Sequence, residues 1–186
     1  MEFLQYKVYK PILTNLLQMA NQSHESYEPE KPYRLLYPMK VVLVSSSHGG
    51  KDNVMTAAWC FPLSVDPPLF GVSVSRKRFS YHLIEASKEF VINVPGPELM
   101  DAVRICGSNS GADTDKFALA KLTKIKSGRV SAPSISECHT GIECKVIDSK
   151  ETGDHVLFVG RAVNFRVSGK ETKSIMQTKE GILISS

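Results

Sequence analysis

The chain has 186 residues, with 23 Lys and Arg against 19 Asp and Glu, and so a formal net charge of +4. Its 42% hydrophobic and 23% charged residues can bury enough apolar surface to offset ordering entropy, which excludes a wholly disordered chain. No apolar run approaches the roughly 18 residues of a transmembrane helix, the first residues lack the basic and apolar blocks of a secretory signal, and a charge of +4 points at most to an anionic ligand rather than to nucleic acid.

Residues 1–33 read as an appendage. Pro11 opens a short helix on which Ile12, Leu13, Leu16, Leu17 and Ala20 recur at helical spacing, followed by a polar, proline-bearing linker from Asn21 to Pro32. The apolar stripe either packs on its own domain or reaches a partner subunit. Residues 34–186 form the main domain, a size that suits one core.

From Pro38 the texture becomes β. Val41 to Val44 is a buried strand candidate, and Ser45 to Asp52, with Gly49-Gly50, reads as a hairpin connection. Ala57 to Ser64 continues as strand until Asp66-Pro67-Pro68, and Phe70, Val72 and Val74 alternate with small residues at a period of two. Ser80 is placed to cap a short helix carrying Leu83 and Ile84, ahead of the strand Phe90 to Val94. Pro97, Leu99, Val103, Cys106 and Gly107 punctuate a second helix. Ile142, Cys144 and Val146, then Val163, Phe165 and Val167, alternate with polar residues as half-buried strands. Many short strands with few helices predict a mainly β, antiparallel barrel.

The cysteines (Cys60, Cys106, Cys138, Cys144) contain no C-x-x-C pair, so reduced, buried thiols in a cytoplasm are the expectation. Cys138, His139 and Cys144 match no common zinc spacing, and no metal is expected. No H-E-x-x-H, G-x-S-x-G or P-loop pattern is present. The unusual residues lie between Asn53 and Ser80. Asn53, Met55, Thr56, Ala57, Ala58, Trp59 and Cys60 mix hydrogen-bonding groups with small side chains that let a flat ligand approach the backbone. Ser75, Arg76, Lys77, Arg78 and Ser80 set three cations between hydroxyls before a helix, as a phosphate requires. A solvated basic turn is the competing reading, and one basic tripeptide makes a poor nucleic-acid footprint.

These residues carry a resemblance. Asn53-x-Met55-Thr56-Ala57-x-Trp59, Asp66-Pro67-Pro68, Val74-Ser75-x-x-Arg78-x-Ser80 and Phe90-Val91-Ile92-Asn93-Val94-Pro95 occur in the order and spacing of the flavin reductase-like FMN-binding family. Cys106-Gly107-x-x-Ser110-Gly111, Asp115-Lys116-Phe117 and Gly153-Asp154-His155-x-x-x-x-Gly160 continue it. The chain is most similar to the flavoredoxin-like branch, from about Tyr37 to Ser168. The resemblance implies an FMN-binding split β-barrel of Greek-key type, working as a homodimer. The segment from Asn53 to Cys60 would line the isoalloxazine, and the segment from Ser75 to Ser80 would hold the ribityl phosphate. His155 would stand near the flavin's outer face, where a nicotinamide or another acceptor approaches. The implied activity is NAD(P)H-dependent flavin or ferric-chelate oxidoreduction, with NADH or NADPH as donor; the alternative is a non-enzymatic flavoredoxin-like electron carrier reduced by a separate protein. In either case the flavin carries its own redox chemistry, which explains the lack of an evident nucleophile or acid–base pair. Asp154 and His155 read equally as a tight turn.

Overall fold

A computed structural model describes residues 30–168, 173–181 and 183–185. The proposed helix of residues 11–20, and most of the proposed arm, lie outside the described residues.

The described residues open with a 3₁₀ turn at Pro32–Leu36 and a two-residue strand β1, Met39–Lys40. Strands β2 (Val42–His48) and β3 (Lys51–Ala57) then form a hairpin closed by His48 opposite Lys51. Gly49 and Gly50 have φ of +59° and +75°, the left-handed pair that a two-residue turn needs to follow the twist of its strands. The strands run further than their hydrophobic residues suggested. Ser45 and Ser46 are buried within β2, where Ser45 donates to the Pro133 carbonyl and accepts from the Asn93 side chain at 3.1 Å.

After a break at Ala58 and Trp59 come β4 (Cys60–Ser64) and β5 (Leu69–Ser75). Helix α1, Phe79–Ser87, starts two residues earlier than a cap at Ser80 would place it. Arg78 occupies the cap position without a side-chain cap, and Ser80 lies inside the first turn because its hydroxyl is held by Asn53 instead. Strand β6 (Glu89–Val94) and a 3₁₀ turn at Pro97–Leu99 lead into α2, Met100–Ser108, so Gly107 sits within its last turn rather than beyond it. A one-turn helix α3, Lys116–Leu119, is capped by the Asp115 carboxylate, which accepts from the Ala118 N–H. Two short strands, β7 (Lys124–Ile125) and β8 (Ser134–Ile135), pair with each other. The 13-residue strands β9 (Thr140–Thr152) and β10 (His155–Val167) form the longest hairpin, turning at Gly153. Strands β11 (Ile175–Gln177) and β12 (Leu183–Ser185) complete a small sheet with β1.

The main sheet has seven strands in the order β3-β2-β6-β9-β10-β5-β4, all antiparallel. This is the predicted mainly β split barrel. Alternate residues of β2 and β3 enter two different cores. Val42, Val44, Met55 and Ala57 join Phe90, Ile92 and Phe158 inside the barrel. Leu43 and Val54 face outward and are covered by Val103 and Cys106 of α2, Phe117 of α3 and Ile135. Burial on both faces explains why β2 opens with an unbroken apolar run. Cys144 belongs to the inner core and Cys138 to the outer one, so these cysteines do not converge. The end of β10 differs from expectation. Phe165 and Val167 are exposed, whereas Arg166 donates to the Ile135 and Cys138 carbonyls and Asn164 donates to Glu143. The period of two holds there, but its polar members carry the structural bonds.

Candidate functional site

Two adjoining clefts share Met55, Thr56 and Arg78. The first, of ≈ 250 Å³, lies where the end of β3, the start of α1 and the end of α2 approach one another. Its floor is Asn53, Met55 and Thr56. One wall is Lys77, Arg78, Phe79 and Ser80; the other is Cys106 to Gly111 with Lys116. Among the described residues, three cations and no carboxylate line it. Hydroxyls, an amide and the backbone of a glycine-bearing loop supply further donors, a set that suits a phosphate or another compact dianion.

The sequence fixes this wall by close approach. The Thr56 hydroxyl donates to the Val103 carbonyl at 2.6 Å, joining β3 to α2. Asn53 donates from its amide to the Ser80 hydroxyl at 2.7 Å, joining β3 to α1. Gly111 packs so tightly on Asn53 that a Cβ there would stand 2.0 Å from its Oδ1, so no larger residue fits without displacing the Asn53 amide or the loop. Lys116 is 4% exposed and donates to the Cys106 carbonyl at 3.1 Å. Burial lowers its pKa from the usual lysine value; Cys106 opposes the fall and Arg78 adds to it.

The second cleft, of ≈ 180 Å³, runs from Met55, Thr56, Ala57 and Ala58 past Trp59 to Ser75 and His155. The β5–β10 register places His155 opposite Ser75, which brings residues distant in sequence to one rim. The His155 ring lies 4.8 Å from that of Trp59, and its Nδ1 is 2.7 Å from an Asp154 carboxylate oxygen. The Tyr33 ring packs edge-on with that of Trp59, their centroids 5.3 Å apart. Beyond Trp59 is an apolar hollow of ≈ 320 Å³ that includes Tyr33, Leu36, Phe61 and Leu157.

Of the residues singled out from sequence, Asn53, Met55, Thr56, Lys77, Arg78 and Ser80 line the first cleft. Ala57, Ala58, Trp59, Ser75 and His155 line the second. Two line neither. Arg76 pairs with Glu151 on β9, and Cys60 packs against the inner core. Burial pushes the Cys60 thiol up to about 12 and the Cys106 thiol to about 11, so neither is a thiolate near neutrality. Sequence reasoning left Lys116 and the loop Ser108 to Gly111 out of the site. Their signal was nevertheless present, in the Cys106-Gly107 and Asp115-Lys116-Phe117 motifs.

The flavin reductase-like domain model matches residues 33–180. A protein of Pyrococcus abyssi described as uncharacterized is 44% identical over 133 residues, covering 72% of this chain and 76% of the relative. A Rhizobium meliloti protein named "Probable flavin reductase" is 32% identical over 130 residues, covering 69% of this chain and 39% of the relative. The crystal structure of an FMN-binding protein from Thermus thermophilus, with bound cyclohex-2-enone, superposes with a TM-score of 0.77 at 26% identity, covering 88% of this chain and 95% of that one. The chain belongs to the flavin reductase-like family.

Proposed function

We propose that this protein is an FMN-binding oxidoreductase that takes reducing equivalents from NADH or NADPH and passes them to a flavin, a ferric chelate or a partner protein. The observation that carries this reading is the continuity of the two clefts. A cavity lined by Lys77, Arg78 and Lys116, with no carboxylate among the described residues, opens past Met55 and Thr56 into one walled by Ala57, Ala58, Trp59 and His155. The FMN-binding relative and the relative named as a flavin reductase support it.

FMN would supply hydride acceptance and electron transfer; the chain's part is to hold, orient and shield it. In this reading the three cations and Ser80 hold the terminal phosphate. A hydroxyl has one proton and two lone pairs, so by donating to Ser80 the Asn53 amide leaves the Ser80 proton free to donate into the cleft. Ala57 and Ala58 present little beyond backbone, against which a flat ring can lie. His155, held by Asp154, offers a hydrogen bond to a nicotinamide amide or an acceptor. We further propose a cytoplasmic homodimer in which residues 1–33 form an arm and 34–186 the binding domain. Among the described residues no helix is long and apolar enough to cross a membrane.

One experiment tests the reading. The flavin released on denaturation should be FMN, and anaerobic mixing of the holoprotein with NADH or NADPH should bleach the visible flavin band. A bound flavin that photoreduction bleaches but both nucleotides leave untouched would assign the protein to the electron carriers. A protein that takes up no FMN would overturn the reading.

A further inference from the structure

We propose that the apolar hollow beyond Trp59 is a subsite for an uncharged electron acceptor of the quinone class. The electron path rests on the FMN reading above; the binding of an uncharged ring does not.

The cavities divide by charge. Lys77, Arg78 and Lys116 line the first cleft, the side that attracts an anionic acceptor such as a ferric chelate. Among the described residues no charged side chain lines the hollow, whose walls apart from Ser73 and Thr152 are apolar or aromatic. An anion there would lose its hydration and gain no partner, so the hollow favours an uncharged ligand. Its volume of ≈ 320 Å³ suits a molecule of about one or two rings.

The hollow is also joined to the second cleft, because Trp59 and Ser73 line both. The Ser73 N–H donates to the Trp59 carbonyl at 2.9 Å, which fixes this shared wall. Ser73 lies opposite Leu157 in the β5–β10 ladder, so the two side chains stand on one face of the sheet. Beside them Phe61 and Leu157 close over Gly71, where a Cβ would come within 3.0 and 3.2 Å of their side chains. The Thr152 hydroxyl donates to the His155 carbonyl at 3.3 Å. Among the described residues the Ser73 hydroxyl has no hydrogen-bond partner, so its proton is free for a ligand carbonyl. An apolar ring, a carbonyl and no charge, next to a flavin cleft, together describe a quinone. In the overall reaction NADH or NADPH is oxidised, giving two electrons and one proton as hydride through FMN. Water supplies the second proton, and the two quinone carbonyls become hydroxyls.

Trp59 is the chain's one tryptophan, so its fluorescence reports on the hollow directly. Duroquinone is the probe, because its fully methylated ring leaves no position for a thiol to add; naphthoquinone sulfonate is the charged counterpart. Titrated into the full-length protein as purified, duroquinone should quench Trp59 to saturation, and the sulfonate should bind at least about tenfold more weakly. Leu36 is 79% exposed, so Leu36→Asp should leave the fold intact while weakening duroquinone binding roughly tenfold. Phe61→Ala, which removes part of the wall, should weaken it roughly five- to tenfold. The KM for duroquinone in turnover with NADH or NADPH should rise by the same factors, while the nucleotides bleach the flavin of both variants at the wild-type rate. The proposal is overturned by a lack of saturable quenching, by a sulfonate that binds as tightly, or by wild-type affinity in both variants. Duroquinone that binds but takes no electrons from the reduced holoprotein also overturns it. Absent quenching, together with a mass by light scattering that Leu36→Asp halves, would give the hollow to a second copy of the chain instead. If quenching follows the variants but the protein takes up no FMN, the uncharged-ring site stands and the flavin reading falls.

Discussion

The Asn53 amide donates to the Ser80 hydroxyl at 2.7 Å, with both residues at most 2% exposed. Ser80 is therefore part of the frame as well as a candidate ligand group. Ser80→Ala should leave a buried amide hydrogen without its acceptor and cost about 1–3 kcal/mol, read as a lower urea midpoint at unchanged slope. An unchanged midpoint with weakened FMN binding would show that the hydroxyl serves the ligand alone.

Arg76 and Arg78 are two residues apart but face different neighbours. Arg78→Ala should weaken FMN binding by about 2 kcal/mol, the scale of a hydrogen bond to a charged group. Arg76→Ala, which removes an exposed pair with Glu151, should change FMN affinity little. Quenching of flavin fluorescence on titration measures both, and equal losses would return the whole cluster to a general electrostatic role.

His155 stands on the rim against Trp59, away from the cationic cleft. His155→Ala should slow reduction by NAD(P)H roughly tenfold, about 1.4 kcal/mol, while FMN affinity barely moves. Stopped-flow reduction and thermal melting on the same variant decide the matter. Normal reduction kinetics with a lower melting temperature would make Asp154 and His155 a structural turn.

Glu143 supplies the pH prediction. Burial alone would raise its pKa, but bonds from the Gly128 N–H, the Asn164 side chain and the Arg129 N–H outweigh burial and lower it below 4.5. The folded pKa is depressed, so the stabilisation is present above pH 4.5 and is lost as pH falls through the lower folded value. Glu143→Gln should abolish this part of the acid limb. At neutral pH it should also cost about 1–3 kcal/mol, because the substituted amide cannot accept at both oxygen positions. Unfolding free energies from pH 3 to 7 test both effects, and an acid limb unchanged in the variant would remove Glu143 from the account.

Much of this fold is legible in the residues themselves. Val72 and Val74 alternate as strand residues do, Gly49-Gly50 forms the only kind of turn its two positive φ angles permit, and the hydroxyl–cation cluster before α1 does border a cleft. What was hidden depends on pairing. Nothing local separates Arg76 from Arg78; the β5–β10–β9 ladder, which brings Glu151 alongside Arg76, does. Lys116 reads as an ordinary surface charge beside Asp115 until the packing of α3 on α2 buries it. The polarity at the end of β10 misled for the opposite reason. Asn164 and Arg166 look like solvent-facing residues, yet they satisfy a buried carboxylate and the carbonyls of Ile135 and Cys138, whose positions only the tertiary structure fixes.

The division of β2 and β3 between two cores has a consequence for how a ligand enters and leaves. Met55 is locked into the barrel interior, Val54 into the outer layer, and Thr56 to α2 through Val103. The floor of the clefts cannot yield without loosening both cores together, so it should exchange its amide hydrogens only as slowly as the molecule as a whole unfolds. Any breathing that admits a large planar ligand must then come from the lips, the turn at Lys77 and Arg78 and the loop from Ser108 to Gly111, moving over a base that stays still.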